Sequence, residues 1–186
     1  MKKQVLVLLA PGFEEIEAIT VVNIFRRAGI NVVMAGTVEG PIEGARGVRV
    51  LADISIDQVG AGPRACPAFD MVVLPGGMGG TENLGKDTRV RQVLKEAIAN
   101  DKFVAAICAA PSLLTGYLAG KKATSHPCVK SMMDGVAYSE ERVCVDGKFI
   151  TSRSPGTAME FAFELIRQLA GEERVRAVND GVMARL

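Results

Sequence analysis

The chain has 186 residues, too few to divide into two domains of ordinary size, because chains usually split only beyond roughly 250–300 residues. Hydrophobic residues make up 48% and charged residues 23%, enough apolar material for a sizeable core, which excludes a disordered or collagen-like chain. Lys and Arg together number 22 against 21 Asp and Glu, so no net field draws the chain to nucleic acid or to an anionic membrane.

The apolar run Val5 to Ala10, ended by Pro11-Gly12, reads as a strand buried on both faces; it is too short and too soon followed by acids for a signal peptide. Glu14 to Ala28 reads as a helix closed by Gly29, with acids in the first turn and Arg26-Arg27 in the last. Asn31 to Ala35 completes a βαβ unit. Residues 36–68 are rich in Gly and Pro and predict loops and edge strands, with β-like pieces at 48–50 and 54–56. Met71 to Leu74 is a third buried strand running into Pro75-Gly76-Gly77-Met78-Gly79-Gly80, after which Asp87 caps a helix reaching about Asn100. Phe103 to Ile107 is a fourth strand, and a helix over 111–118 follows with almost no loop. The segments 143–145 and 149–151 read as a hairpin turned by Asp146-Gly147 in type I′ geometry. A long helix from Thr157 to Ala170, stopped by Gly171, and a short one after it complete the chain. The expected fold is therefore one α/β domain over residues 1–186, a three-layer α/β/α sandwich of flavodoxin-like type with a mostly parallel sheet. Its ligands should bind outside the carboxyl ends of the strands.

No apolar stretch approaches the roughly 20 residues of a membrane helix, so a cytoplasmic protein is expected. Cys66, Cys108, Cys128 and Cys144 lack CxxC spacing and lie in a domain too large to need staples, which predicts free thiols.

Cys108 carries the strongest chemical signal. It follows a strand directly, has small neighbours at Ala106 and Ala110, and precedes a helix with Pro111 near its first turn, the pattern of a nucleophile elbow. A thiol at a helix start is expected to have a lowered pKa. The N–H groups of Gly76, Gly77 and Ala109 are candidate donors to an oxyanion. Glu14 and Glu15 suit a helix start, whereas Glu17 shares a stripe with polar Thr20 and apolar Val21 and Ile24, so periodicity leaves it inside or out. If it faces the crevice, its carboxyl should have a raised pKa and share a proton with a thiolate. His126 is the single histidine; the run His126-Pro127-Cys128 lacks further spaced ligands, and no metal is expected. Residues 80–86 match G-x-x-x-x-G-K, but Asp87 stands where a hydroxyl would hold Mg²⁺, so no nucleotide site is expected.

Six motifs in order, at residues 12–17, 26–29, 72–77, 105–109, 125–127 and 151–157, resemble the ThiJ/PfpI superfamily in its DJ-one branch of deglycase, glyoxalase and chaperone proteins. The resemblance implies that Cys108 is the reactive cysteine, Glu17 its protonated partner and His126 a pocket histidine. It places Gly76, Gly77 and Ala109 among the backbone donors, and Glu14, Arg27, Arg46 and Pro155 at the pocket or dimer edge. It further implies a homodimer that needs no cofactor and acts on methylglyoxal, glyoxal or their early protein, nucleotide or thiol adducts to give 2-hydroxy acids. The alternative is a redox-sensing chaperone with unfolded client proteins, in which Cys108 becomes a sulfinate. Ala109 stands where the protease branch has a histidine, so peptidase activity is not expected, and the single histidine leaves no late His-x-Glu pair for glutamine hydrolysis. Ala110 and Met78 also depart from the pattern, which bears on substrate preference.

Overall fold

The computed structural model describes residues 3–60 and 69–185; Cys66 lies outside them. The strands are β1 (Gln4–Leu9), β2 (Asn31–Gly36), β3 (Pro41–Glu43), β4 (Arg49–Leu51), β5 (Ile54–Ser55), β6 (Met71–Leu74), β7 (Phe103–Ile107), β8 (Lys122–Ala123), β9 (Ala137–Tyr138), β10 (Val143–Asp146) and β11 (Phe149–Ser152). The helices are α1 (Glu15–Arg27), α2 (Met78–Lys86), α3 (Thr88–Ala99), α4 (Ala158–Ala170) and α5 (Glu172–Val182).

Seven strands form the main sheet in the order β10-β11-β7-β6-β1-β2-β5, all parallel except the edge strand β10. Taken in chain order, its central strands β2-β1-β6-β7-β11 run 2-1-3-4-5, the flavodoxin-like arrangement, with the switch of direction between β1 and β6. Every residue of β1 is buried because helices cover both faces. Val5, Val7 and Leu9 point into a core shared with α1, α4 and α5, while Leu6 and Leu8 point into one shared with α2, α3 and Leu114. This alternation is the three-layer sandwich seen from a single strand.

Three local expectations change. A helix not expected before Asp87, α2, starts within the glycine-rich run at Met78, and its glycines permit close contact: a Cβ on Gly80 would lie 2.7 Å from Phe13 Cα. After β7 the chain forms a 3₁₀ helix over Ala110–Tyr117 instead of an α-helix, and the hydroxyls of Ser112 and Thr115 bond the carbonyls three residues back. In the β10–β11 hairpin Asp146 pairs with Phe149, so the two-residue turn is Gly147-Lys148; only Gly147 has positive φ, which is type II′ rather than type I′ geometry. Asp87 caps α3 as expected, by accepting from Arg89 N–H at 2.8 Å.

Candidate active site

The carboxyl ends of β1, β6 and β7 meet at the switch point. Cys108 leaves β7 with φ +65°, a left-handed conformation that a non-glycine residue adopts only under restraint. The restraint is visible: Cys108 N–H donates to Ser152 O at 3.0 Å, and Cys108 O accepts from His126 N–H at 2.7 Å. Ala106 and Ala110 on either side are fully buried, so the elbow turns against small neighbours. The Gly77 and Ala109 N–H groups face the half-buried thiol.

Glu17 reaches this thiol from α1. Glu14 caps the helix, its carboxylate accepting Glu17 N–H at 2.8 Å while its own N–H donates to Gly76 O at 2.9 Å. Glu17, fully buried, then points inward, and its Oε2 accepts Gly76 N–H at 2.8 Å, leaving Oε1 buried without a partner among the described residues. A Cβ on Gly76 would lie 2.6 Å from both Cys108 Cβ and Glu17 Oε2, so only glycine lets the cysteine and the carboxyl approach across the turn. Gly76 therefore positions Glu17, and the donors left facing the thiol are Gly77 and Ala109.

Burial pushes the Glu17 carboxyl up from the usual 4.5 to about 7; the thiol and the Gly76 N–H oppose the rise, and the charge of Glu14 adds to it. Burial likewise pushes the Cys108 thiol up to about 12, with the charge and close approach of Glu17 adding to the rise and the Gly77 and Ala109 N–H groups only partly offsetting it. The lowered thiol pKa expected from a helix start is thus corrected. A short 3₁₀ helix supplies little beyond local N–H groups, and desolvation beside a carboxylate outweighs them. The two groups titrate as one pair: the first proton leaves near neutrality, and the second is retained far above it.

His126 does not aim its ring at the thiol. Its Nδ1 accepts Cys128 N–H at 3.2 Å and lies 2.9 Å from Cys128 Sγ, while only its backbone N–H touches Cys108. Arg27 is exposed and bonds Asn23, Arg46 is exposed with its N–H on Glu15 Oε1 at 2.6 Å, and Pro155 opens a 3₁₀ turn after β11. None of these three contacts the Cys108–Glu17 pair through a described hydrogen bond or ion pair. Glu15 differs from the simple helix-start acid read from sequence: it is buried and holds the loop at Arg46 and Val48. The contact between Cys128 and Met78, 3.9 Å between sulfurs, had no sequence signal, because the two are 50 residues apart. Cys108, Cys128 and Cys144 are free thiols. Among the described residues, no helix is long and apolar enough to cross a membrane.

The sequence profile of the DJ-1/PfpI family matches residues 3–168. The chain is 42% identical to Protein dj-1beta of Drosophila melanogaster, over 98% of both chains, and its fold superimposes on that protein's crystal structure with a TM-score of 0.94 at 40% identity over the full length of each. It is 32% identical to the glutathione-independent glyoxalase DJR-1.2 of Caenorhabditis elegans, over 95% of this chain and 94% of that one.

Proposed function

The chain belongs to the DJ-1/PfpI family, and from that premise we propose that it is a cofactor-independent cysteine enzyme that converts methylglyoxal, glyoxal or their early protein, nucleotide or thiol adducts to 2-hydroxy acids. The observation that carries this reading is the buried Glu17 carboxyl set against a thiol that two backbone N–H groups already face. Loss of one proton from the pair leaves a Glu17 carboxylate beside the Cys108 thiol, and as the aldehyde arrives Glu17 takes the thiol proton, which gives the reacting thiolate and a protonated Glu17. The thiolate adds to the aldehyde carbon, and the Gly77 and Ala109 N–H groups hold the oxygen that becomes negative. Glu17 protonates that oxygen to give the hemithioacetal. It then carries the proton from the former aldehyde carbon to the neighbouring carbonyl carbon through an enediol. The resulting thioester takes up water, releasing the 2-hydroxy acid and restoring the thiol; the balance is aldehyde plus water, with no external oxidant. A named glyoxalase among the relatives supports the substrate class. Peptide hydrolysis is not proposed, because no imidazole is aimed at Cys108.

A second reading rests on the same raised carboxyl. A protonated Glu17 is placed to donate a hydrogen bond to Cys108 oxidised to a sulfinate, as a redox-sensing chaperone would need. The functional unit proposed is a cytoplasmic homodimer. Ile16, Ile19 and Met159 are exposed along α1 and the start of α4, around a shallow cleft that a second copy of this face would cover. The deciding experiment follows lactate formation from methylglyoxal in Tris-free buffer. Wild type should turn over and Cys108→Ser should not; lactate formed equally by both would overturn the enzyme reading.

A further inference from the structure

A second group of chemically active side chains lies beside the elbow and takes no part in the reaction above. Cys128 Sγ stands 2.9 Å from His126 Nδ1 and 3.9 Å from Met78 Sδ. The three arrive from different elements: Met78 opens α2 directly after Gly77, while His126 and Cys128 flank Pro127 at the start of a 3₁₀ turn over Pro127–Met132. Cys128 and Met78 are exposed and His126 is half-buried, so the group is open to solvent.

We propose that Cys128 Sγ, Met78 Sδ and His126 Nδ1 form a binding site for a soft monovalent metal ion, Cu(I) or Ag(I). A thiolate and a thioether together select Cu(I)-like ions over Zn²⁺, Ca²⁺ or Mg²⁺, and imidazole suits the same ions. The sulfur separation matches such a site, since two sulfurs each ~2.3 Å from a trigonal ion stand ~4 Å apart. The imidazole is nearer than a bound ion allows and must withdraw by about 1 Å, with metal–nitrogen and metal–sulfur lengths near 2.1 and 2.3 Å. Solvent exposure permits that withdrawal, and it gives up the Cys128 N–H bond to Nδ1. Nδ1 already acts as an acceptor from that N–H, the tautomer a metal requires. On binding, the Cys128 S–H bond breaks, its proton passes to solvent and an S–metal bond forms. No electron is transferred. Affinity therefore falls as the pH is lowered.

The site is independent of the reaction at Cys108, and its test removes that residue. The reduced full-length chain carrying Cys66→Ser and Cys108→Ser is titrated with Ag(I), a redox-inert probe, and followed by ¹⁵N NMR of the imidazole. The chain has one histidine, so the signal has one assignment. One ion per chain should shift the Nδ1 resonance, and Cys128→Ser or Met78→Leu in the same background should weaken binding by about tenfold or more, because even an outer partner of a metal ligand is commonly worth 10–100-fold. Binding of Ag(I) that leaves Nδ1 unmoved overturns the proposal, as does an affinity unchanged by Met78→Leu. A structural contact of the same three residues would survive in the apo chain but would show neither effect.

Discussion

Replacing Glu17 with Gln tests the buried carboxyl through stability, without reference to any substrate. In the folded chain this group holds its proton up to about 7, whereas in the unfolded chain it releases it at the ordinary 4.5. Between those values the unfolded state binds fewer protons than the folded state, so stability falls as pH rises. The stabilisation is fully present below 4.5 and is lost as pH rises through about 7. At about 1.4 kcal/mol per pH unit, the interval amounts to about 3 kcal/mol. No reduction for solvent screening is warranted, because Glu17 is fully buried. Glu17→Gln removes the titration while keeping the shape and the acceptor for Gly76 N–H. Urea unfolding of both proteins at equal concentration from pH 4.5 to 8 should therefore show the wild type losing about 3 kcal/mol relative to the variant across that range. The Cys108 thiol stays out of this window, since its ordinary value is 9.0 and burial moves it upward. A constant difference between the two proteins at every pH would refute the reasoning and leave Glu17 an ordinary ionised carboxylate.

The pair should also govern thiol reactivity. Alkylation of Cys108, read by mass spectrometry, should rise with pH only well above 7 in wild type, and in Glu17→Gln the rise should move to lower pH because the carboxylate that opposes the thiolate is gone; identical profiles would count against coupling between the two groups. Gly76→Ala brings a Cβ within 2.6 Å of both Cys108 Cβ and Glu17 Oε2, with the Ile107 carbonyl 2.8 Å away. It should abolish lactate formation and lower stability by about 1–3 kcal/mol, as overpacking does; a fully active, equally stable variant would show that the approach is not tight. Ile16→Asp, on the exposed face of α1, should sediment as a monomer where wild type sediments as a dimer. A monomeric wild type at micromolar concentration would remove the proposed interface.

Most of the architecture was legible along the chain because its signals are local. The apolar runs ending in Pro-Gly, the Asp87 cap and the Gly171 stop each depend on a few consecutive residues, and they place β1, β6, α3 and α4 without long-range information. The elbow at Cys108 was legible for the same reason, since small flanks and an abrupt strand end are sequence facts. What the sequence could not decide was anything set by approach across the fold. The stripe of α1 left Glu17 ambiguous, and only the packing of α1 against the ends of β6 and β7 buries it beside the thiol. The glycines after β6 gave no sign of a helix before Asp87, yet α2 forms because the backbone at Gly12 and Phe13 fits against them. The sign of the Cys108 shift also belonged to the tertiary structure. A helix start lowers a thiol's pKa through local dipoles, but burial and a neighbouring carboxylate act through surroundings drawn from distant segments, and at this site those surroundings dominate.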